Sequence, residues 1–257
     1  MIEAVTRENF ARFRRACTYV RIFGAKCLCT YQCFGTLDAD PTFWLGTVAG
    51  RPACAMMLCG GVLTCSSDGT LPPAELAAFL PAHGVTELDA DLAACQAVQR
   101  LLGGTMESSW MMYYGEKACA EPTIPILPCQ TLSDAFSVLQ QSHVFYQTHY
   151  QFEPWAQDLR RRISCATAEV YTVTLDGRCV GTGSISAMDD AVGVLAAIAV
   201  LPEYRHRGIG SELTRFLTRR VLALGKQPCL ISGYDEVAAL YRALGYTADG
   251  RWGELYL

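Results

Sequence analysis

One stretch, Val192 to Leu224, limits what this chain can fold into more than any other. It runs apolar strand, turn, glycine-rich loop and amphipathic helix without a break. Val192 to Val200 is almost wholly apolar, the pattern of a strand buried on both faces. Leu201-Pro202-Glu203-Tyr204 interrupts it, and Arg205-His206-Arg207-Gly208-Ile209-Gly210 follows. From Ser211 onward Leu213, Phe216, Leu217, Val221 and Leu224 recur at the spacing of a helix with one buried face, and Gly225 supplies the stop. A strand that delivers a glycine-rich turn into a helix N-terminus makes a place for an anion. The first helical N–H groups lack intrahelical partners, the helix dipole is positive at that end, and two absent side chains let a phosphate reach the backbone. Arg205 and Arg207 add charge and donors, so a pyrophosphate is the natural occupant. His206 reads equally as a phosphate contact or as a solvent-facing loop residue.

The order Arg-x-x-Gly-x-Gly between a buried strand and a helix resembles the acetyl-CoA loop of the GNAT (N-acetyltransferase) superfamily. Arg205, Gly208 and Gly210 hold the pattern's fixed positions, and Leu201 to Tyr204 match its lead-in. Downstream, Leu240-Tyr241-x-x-x-Gly245-Tyr246 is similar to the family's closing pattern. The resemblance implies an α/β (α+β) fold with a mixed sheet of the GNAT acyltransferase kind, and acetyl-CoA as the acyl donor. It implies backbone contacts to the coenzyme from Ile198, Ala199 and Val200, and further contacts from Arg205, His206, Arg207, Gly208, Ile209, Gly210 and Ser211. It also makes Tyr241 the general acid for the departing thiolate. The plain structural reading of Tyr241 is a core aromatic beside Leu240 and Leu244.

Acetyl transfer to an amine needs an unprotonated nucleophile, and a primary amine of pKa about 10 to 10.5 is free in fewer than about one molecule per thousand at neutral pH. Many relatives place a glutamate on the strand before the loop, but Gly193 to Ile198 carries no carboxylate, and Tyr234 stands where an asparagine is often found. Asp189, Asp190, Glu153 and Glu107 are the candidates for a base or for substrate charge recognition, each with solvated surface as its plain reading.

At 257 residues the chain has room for two domains. The proline-rich run Glu121 to Pro128 is the best linker, dividing residues 1–120 from 123–257. Ala49-Gly50-Arg51 and Asp176-Gly177-Arg178 sit in similar hairpins, which suggests a tandem repeat whose first copy is degenerate and lacks the coenzyme loop. In the first half, an amphipathic helix is expected from about Arg7 through Val20. Lys26 to Gly35 is ambiguous between helix and strand, and strands are expected at Phe43–Val48, Ala53–Leu58 and Trp110–Tyr114. In the second half, helices are expected through Ser133–Leu139, Trp155–Ile163 and Asp235–Leu244, with a last strand over Trp252–Leu257.

With 51% apolar and 18% charged residues the chain can bury a large core, which excludes disorder. A formal charge of −4 speaks against nucleic acid as partner. The thirteen cysteines are odd in number and set among apolar residues, as buried free thiols are in a reducing cytosol. Cys27-x-Cys29-x-x-x-Cys33 has no nearby histidine or second pair, so no metal is expected there. Charges at Glu3, Arg7 and Glu8 interrupt any signal peptide, and no uncharged apolar run approaches the roughly 20 residues of a spanning helix. The expectation is a soluble cytoplasmic N-acetyltransferase, monomer or homodimer with no membrane partner, that moves an acetyl group by direct attack of a small-molecule or peptide amine. The alternative is a catalytically silent acyl-CoA-binding sensor or assembly module. A dinucleotide-binding fingerprint fits less well, because Leu213 occupies its third glycine position.

Overall fold

The computed structural model describes residues 1–35, 39–116 and 118–257. In chain order these form β1 (Ile2–Ala4), α1 (Phe10–Ala16), α2 (Arg21–Phe34), β2 (Thr42–Val48), β3 (Arg51–Cys59), β4 (Val62–Ser67), α3 (Pro73–Ala82), β5 (Glu87–Asp91), α4 (Leu92–Leu102) and β6 (Thr105–Tyr114). There follow β7 (Leu127–Pro128), α5 (Leu132–Ser142), α6 (Val144–His149), α7 (Phe152–Ser164), β8 (Glu169–Leu175), β9 (Arg178–Met188) and β10 (Val192–Val200). The chain ends with α8 (Ile209–Ala223), β11 (Gln227–Ser232), α9 (Asp235–Ala243) and β12 (Tyr246–Tyr256). They belong to two compact units that interleave in sequence. One comprises residues 1–112, 231–238 and 248–257, and the other 113–230 and 239–247.

The first unit's sheet runs β1-β2-β3-β4-β5-β12, with β6 beside β12. All of its recorded pairings are antiparallel except β4 with β5. Alternation along β3 serves two cores: Cys54 and Met56 join Leu63, Leu76, Leu80, Leu88 and Val98, while Ala55 and Met57 join Phe13, Cys17, Cys27, Phe43 and Leu45. A break divides the helix expected from Arg7. α1 ends at Ala16, Val20 is extended, and α2 starts at Arg21. The fully buried Ser66 of β4 fills that break: its hydroxyl donates to the Ala16 carbonyl (3.0 Å) and accepts from the Val20 N–H (3.0 Å). The ambiguous stretch from Lys26 is therefore the second half of α2. Cys27, Cys29 and Cys33 are buried in it and form no disulfide.

The second unit's sheet runs β7-β8-β9-β10-β11, antiparallel except for β10 with β11. Its glycines let α8 lie flush on the strands. A Cβ at Gly193 would stand 2.6 Å from a Val221 methyl, and one at Gly183 would stand 2.9 Å from a Leu217 methyl. The amphipathic stripe read from the sequence supplies that contact, since Leu213, Leu217 and Val221 are wholly buried.

A guanidinium fork fixes the helix sideways. Arg220 donates from Nε and Nη2 to the two oxygens of Glu169 on β8 (2.9 and 2.8 Å), and the Tyr171 hydroxyl donates to the same carboxylate (2.7 Å). Hydrogen bonds from Arg220 hold the Glu169 carboxyl below its usual range, against the opposing effect of burial. An acid whose folded pKa is depressed contributes stability above its unfolded pKa, about 4.3, and loses it as pH falls through the folded value. Arg220 is 40% exposed, so screening limits the pair to about 1 kcal/mol. Urea unfolding of Arg220→Met should show that loss at pH 7 and a flatter decline below about pH 4 than the parent shows.

The two halves of the sequence follow one plan. β2-β3-β4-α3-β5-α4-β6 recurs as β8-β9-β10-α8-β11-α9-β12, with two antiparallel pairings and then a parallel one in each. The element that answers to the glycine-rich loop is residues 68–72, between β4 and α3. It contains Gly69 but no arginine, and α3 begins at Pro72-Pro73, where Pro73 removes one of the N–H groups that an anion needs. Trp252–Tyr256 pairs with Glu87–Asp91, so residues 248–257 belong to the first unit's sheet.

Candidate functional site

β10 enters the site paired on both sides and leaves it paired on one. Its parallel register with β11 runs from Val192↔Gln227 to Leu195↔Leu230 and, among the described residues, ends there. Toward β9 the register slips between Val194 and Leu195 and again between Ala196 and Ala199, and Ala197 has a φ of +53°. A β-bulge with a residue in the left-handed region bends a strand and re-aims its amides. Burial follows the bend: Val192 to Leu195 are buried, whereas Ala196 to Val200 are half-buried. Ile198, Ala199 and Val200 thus lie on the opened half of the strand.

The turn after β10 is a 3₁₀ segment, Pro202–Tyr204, followed by left-handed residues at His206 (φ +61°) and Gly208 (φ +81°). Gly208 is the N-cap of α8, with no side-chain hydrogen bond to the cap; its carbonyl accepts from the Glu212 N–H (3.0 Å). The amides of Ile209, Gly210 and Ser211 are first-turn groups with no intrahelical acceptor. The two glycines differ. Gly208 needs its positive φ, which an L side chain adopts under strain. Gly210 sits in the helix, where a Cβ would meet a Val200 methyl at ordinary contact distance, 3.9 Å.

The arginines are more committed than the sequence suggests. Arg205 donates from Nε to the Val200 carbonyl (3.2 Å) and from Nη2 to the Ser142 carbonyl (2.8 Å). The Ser142 hydroxyl also donates to Val200 (3.1 Å). Arg205 therefore ties the turn to the end of α5. Arg207 donates to the Glu203 carbonyl (3.1 Å) and lies 5.0 Å from the Tyr204 ring centre. Arg178 reaches the Glu203 carboxylate from β9 (2.9 Å). His206 is exposed beside them. Ser142 and Arg178 are support residues that sequence reading missed, because neither lies within the motif and only tertiary contact reveals them.

Tyr241 lies on α9 and is 9% exposed. Burial pushes its hydroxyl up to about 12. Its ring stands 5.9 Å from that of Tyr246, whose hydroxyl is 2.7 Å from that of Thr218 on α8. Packing and proton retention are thus both provided at this position. Among the candidate bases, Asp189 is occupied locally: its Oδ1 accepts from the Ala191 and Val192 amides (2.8 Å each), and its carbonyl accepts from Lys226. Asp190 and Glu153 are exposed, and Glu107 is an exposed residue of the first unit. On α7, Arg160 and Arg161 are exposed, and Arg162 is half-buried and paired to Asp158 (2.7 Å).

A bulged strand, a glycine turn and a helix N-terminus thus lie together within the antiparallel–antiparallel–parallel sheet of the second unit. Residues 132–246 match the profile of the Acetyltransferase (GNAT) family, so the chain carries a GNAT domain over that stretch. The fold is shared with a tandem GNAT protein from the clavulanic acid biosynthesis pathway, at 14% identity over 99% of this chain and 97% of that one, with a TM-score of 0.66. A GCN5-related N-acetyltransferase from Kribbella flavida matches at 18% identity over 92% and 94%, with a TM-score of 0.64. A Drosophila protein matches at 15% identity over 99% and 98%, with a TM-score of 0.67. No curated protein sequence matches this chain. Among the described residues no helix is long and apolar enough to cross a membrane.

Proposed function

We propose that the second unit is an acetyl-CoA-dependent N-acetyltransferase acting on a primary amine of a small molecule or peptide, in the cytoplasm. The observation that carries this reading is the uncapped first turn of α8, which begins at the left-handed Gly208 and has a second glycine, Gly210, two residues on. That cradle suits a pyrophosphate, and the bulged half of β10 offers backbone to the pantetheine arm. Acetyl-CoA, when bound, supplies the acetyl group as a thioester. The amides of Ile209, Gly210 and Ser211 hold the diphosphate, and the remaining donors of Arg205 and Arg207 add charge to it. The amides of Ile198, Ala199 and Val200 orient the acyl end. Tyr241 holds a proton on its hydroxyl at every physiological pH, as an acid for a thiolate must. Water delivers the amine's proton to solvent, since β10 carries no carboxylate and Asp189 is engaged in its own turn.

Free-thiol release from acetyl-CoA, assayed against a panel of amines, tests the reading. Tyr241→Phe should lower kcat on the order of tenfold while leaving CoA affinity unchanged. Equal turnover in the variant removes Tyr241 from the mechanism. The missing carboxylate on β10 favours a second reading, a silent acyl-CoA sensor. CoA binding by thermal shift, with no transfer to any amine, selects it.

A further inference from the structure

The carboxylates of Glu87 and Asp89 on β5 and of Glu254 on β12 each place an oxygen within 4.8 Å of the others. Strand register brings them together. Asp89 lies opposite Glu254, and Glu87 lies opposite Tyr256, so these alternate residues share one face of the sheet. Leu88, Ala90 and Leu255 serve the core on the other face. Asp89 is 6% exposed, whereas Glu87 and Glu254 are half-buried and form a rim over it. The Asp89 Oδ1 is buried with no hydrogen-bond partner. A buried carboxylate oxygen without a donor is costly, and three acids converging on it raise that cost.

The charges facing this cluster are few. Lys26 of α2, whose Nζ lies 4.4 Å from the Trp252 ring centre, acts on Asp89 and Glu254 from above. Glu107 of β6 adds like charge to Glu254. Burial pushes Asp89 up to about 7, and the neighbouring carboxylates push it the same way.

We infer that Glu87, Asp89 and Glu254 bind a calcium-sized divalent cation. Carboxylate oxygens without nitrogen or sulfur suit a hard ion. Mg²⁺ demands near-ideal octahedral geometry and gives up its waters reluctantly, whereas Ca²⁺ accepts the flexible geometry of carboxylates gathered from two strands. A dication also gives Asp89 Oδ1 its missing partner.

Isothermal titration of the EDTA-treated full chain with CaCl₂ and MgCl₂, alongside melting curves, tests the site. Expected are one Ca²⁺ per chain, a rise in Tm of several degrees, and Mg²⁺ at least tenfold weaker. Asp89→Asn and the rim variant Glu254→Gln should each weaken Ca²⁺ at least tenfold while keeping the parent's circular dichroism. Absence of Ca²⁺ heat up to about 5 mM, beyond the roughly 1 mM of the weakest sites of this kind, overturns the inference. Undiminished Ca²⁺ binding in Glu254→Gln overturns it as well. So does a protein that ignores Ca²⁺ but gains stability on acidification from about pH 7, because an acid with a raised folded pKa is satisfied by a proton there.

Discussion

Gly210→Val is expected to melt within a few degrees of the parent and to bind acetyl-CoA about a hundredfold more weakly, or not at all. The two halves of that expectation have separate causes. Gly210 is helical, and the nearest atom to a Cβ there is a Val200 methyl at ordinary contact distance, 3.9 Å. Replacing a helical glycine also removes backbone freedom from the unfolded chain, which offsets any crowding. The coenzyme has no such latitude. A phosphate resting on the first-turn amides meets the new methyls, and losing one or two charge-assisted N–H bonds at about 1.5–3 kcal/mol each weakens binding by two orders of magnitude or more. Gly208→Val is the less informative partner, because its φ of +81° makes a β-branched residue costly by about 1–3 kcal/mol whatever binds. Titration calorimetry with CoA and a melting curve on Gly210→Val decide the matter. A variant that melts like the parent and still binds CoA with parental affinity would put the diphosphate elsewhere.

The parts of this molecule that were legible from residues alone are those whose cause is local. The order of β10, turn and α8 follows from an apolar run, two glycines and a stripe at helical spacing, and the hairpin at Asp176-Gly177 follows from its turn residues. β4 escaped notice because Val62-Leu63-Thr64-Cys65-Ser66-Ser67 carries too little alternation. It is a strand because β3 and β5 flank it, which is a nonlocal cause. β12 begins at Tyr246, six residues before its apolar end, and passes through Asp249-Gly250, a pair that reads as a turn. Its pairing with β5 joins residues 165 positions apart at Asp89 and Glu254, and no periodicity encodes a partner so distant. In the site, Gly208 and Gly210 were legible by type. The occupation of Arg205 by Val200 and Ser142 was not, since a single sequence shows a cation but not which carbonyls face it.

Gly24→Ala is expected to destabilise the first unit by about 3 kcal/mol or more, although helix propensity alone argues for a gain of about 0.8–1.0 kcal/mol. The two forces differ in kind. Propensity describes an isolated helix, whereas α2 lies directly against the carbonyl that closes the turn after α1. A Cβ on Gly24 would stand 1.6 Å from the Cys17 oxygen and 2.5 Å from its carbon, both backbone atoms that no rotamer change can move. Relief requires α2 to withdraw by more than an ångström. Withdrawal breaks the bond from the Val20 N–H to Ser66, a hydroxyl that also serves the Ala16 carbonyl, and so leaves buried polar groups unpaired. It also uncovers Ile22 and Phe23, both wholly buried, and separates Phe23 from Trp252, whose ring centres are 5.8 Å apart and edge-on. Urea unfolding followed by circular dichroism and tryptophan emission measures the loss. Parental stability in Gly24→Ala would mean that α2 does not approach the Cys17 carbonyl so closely.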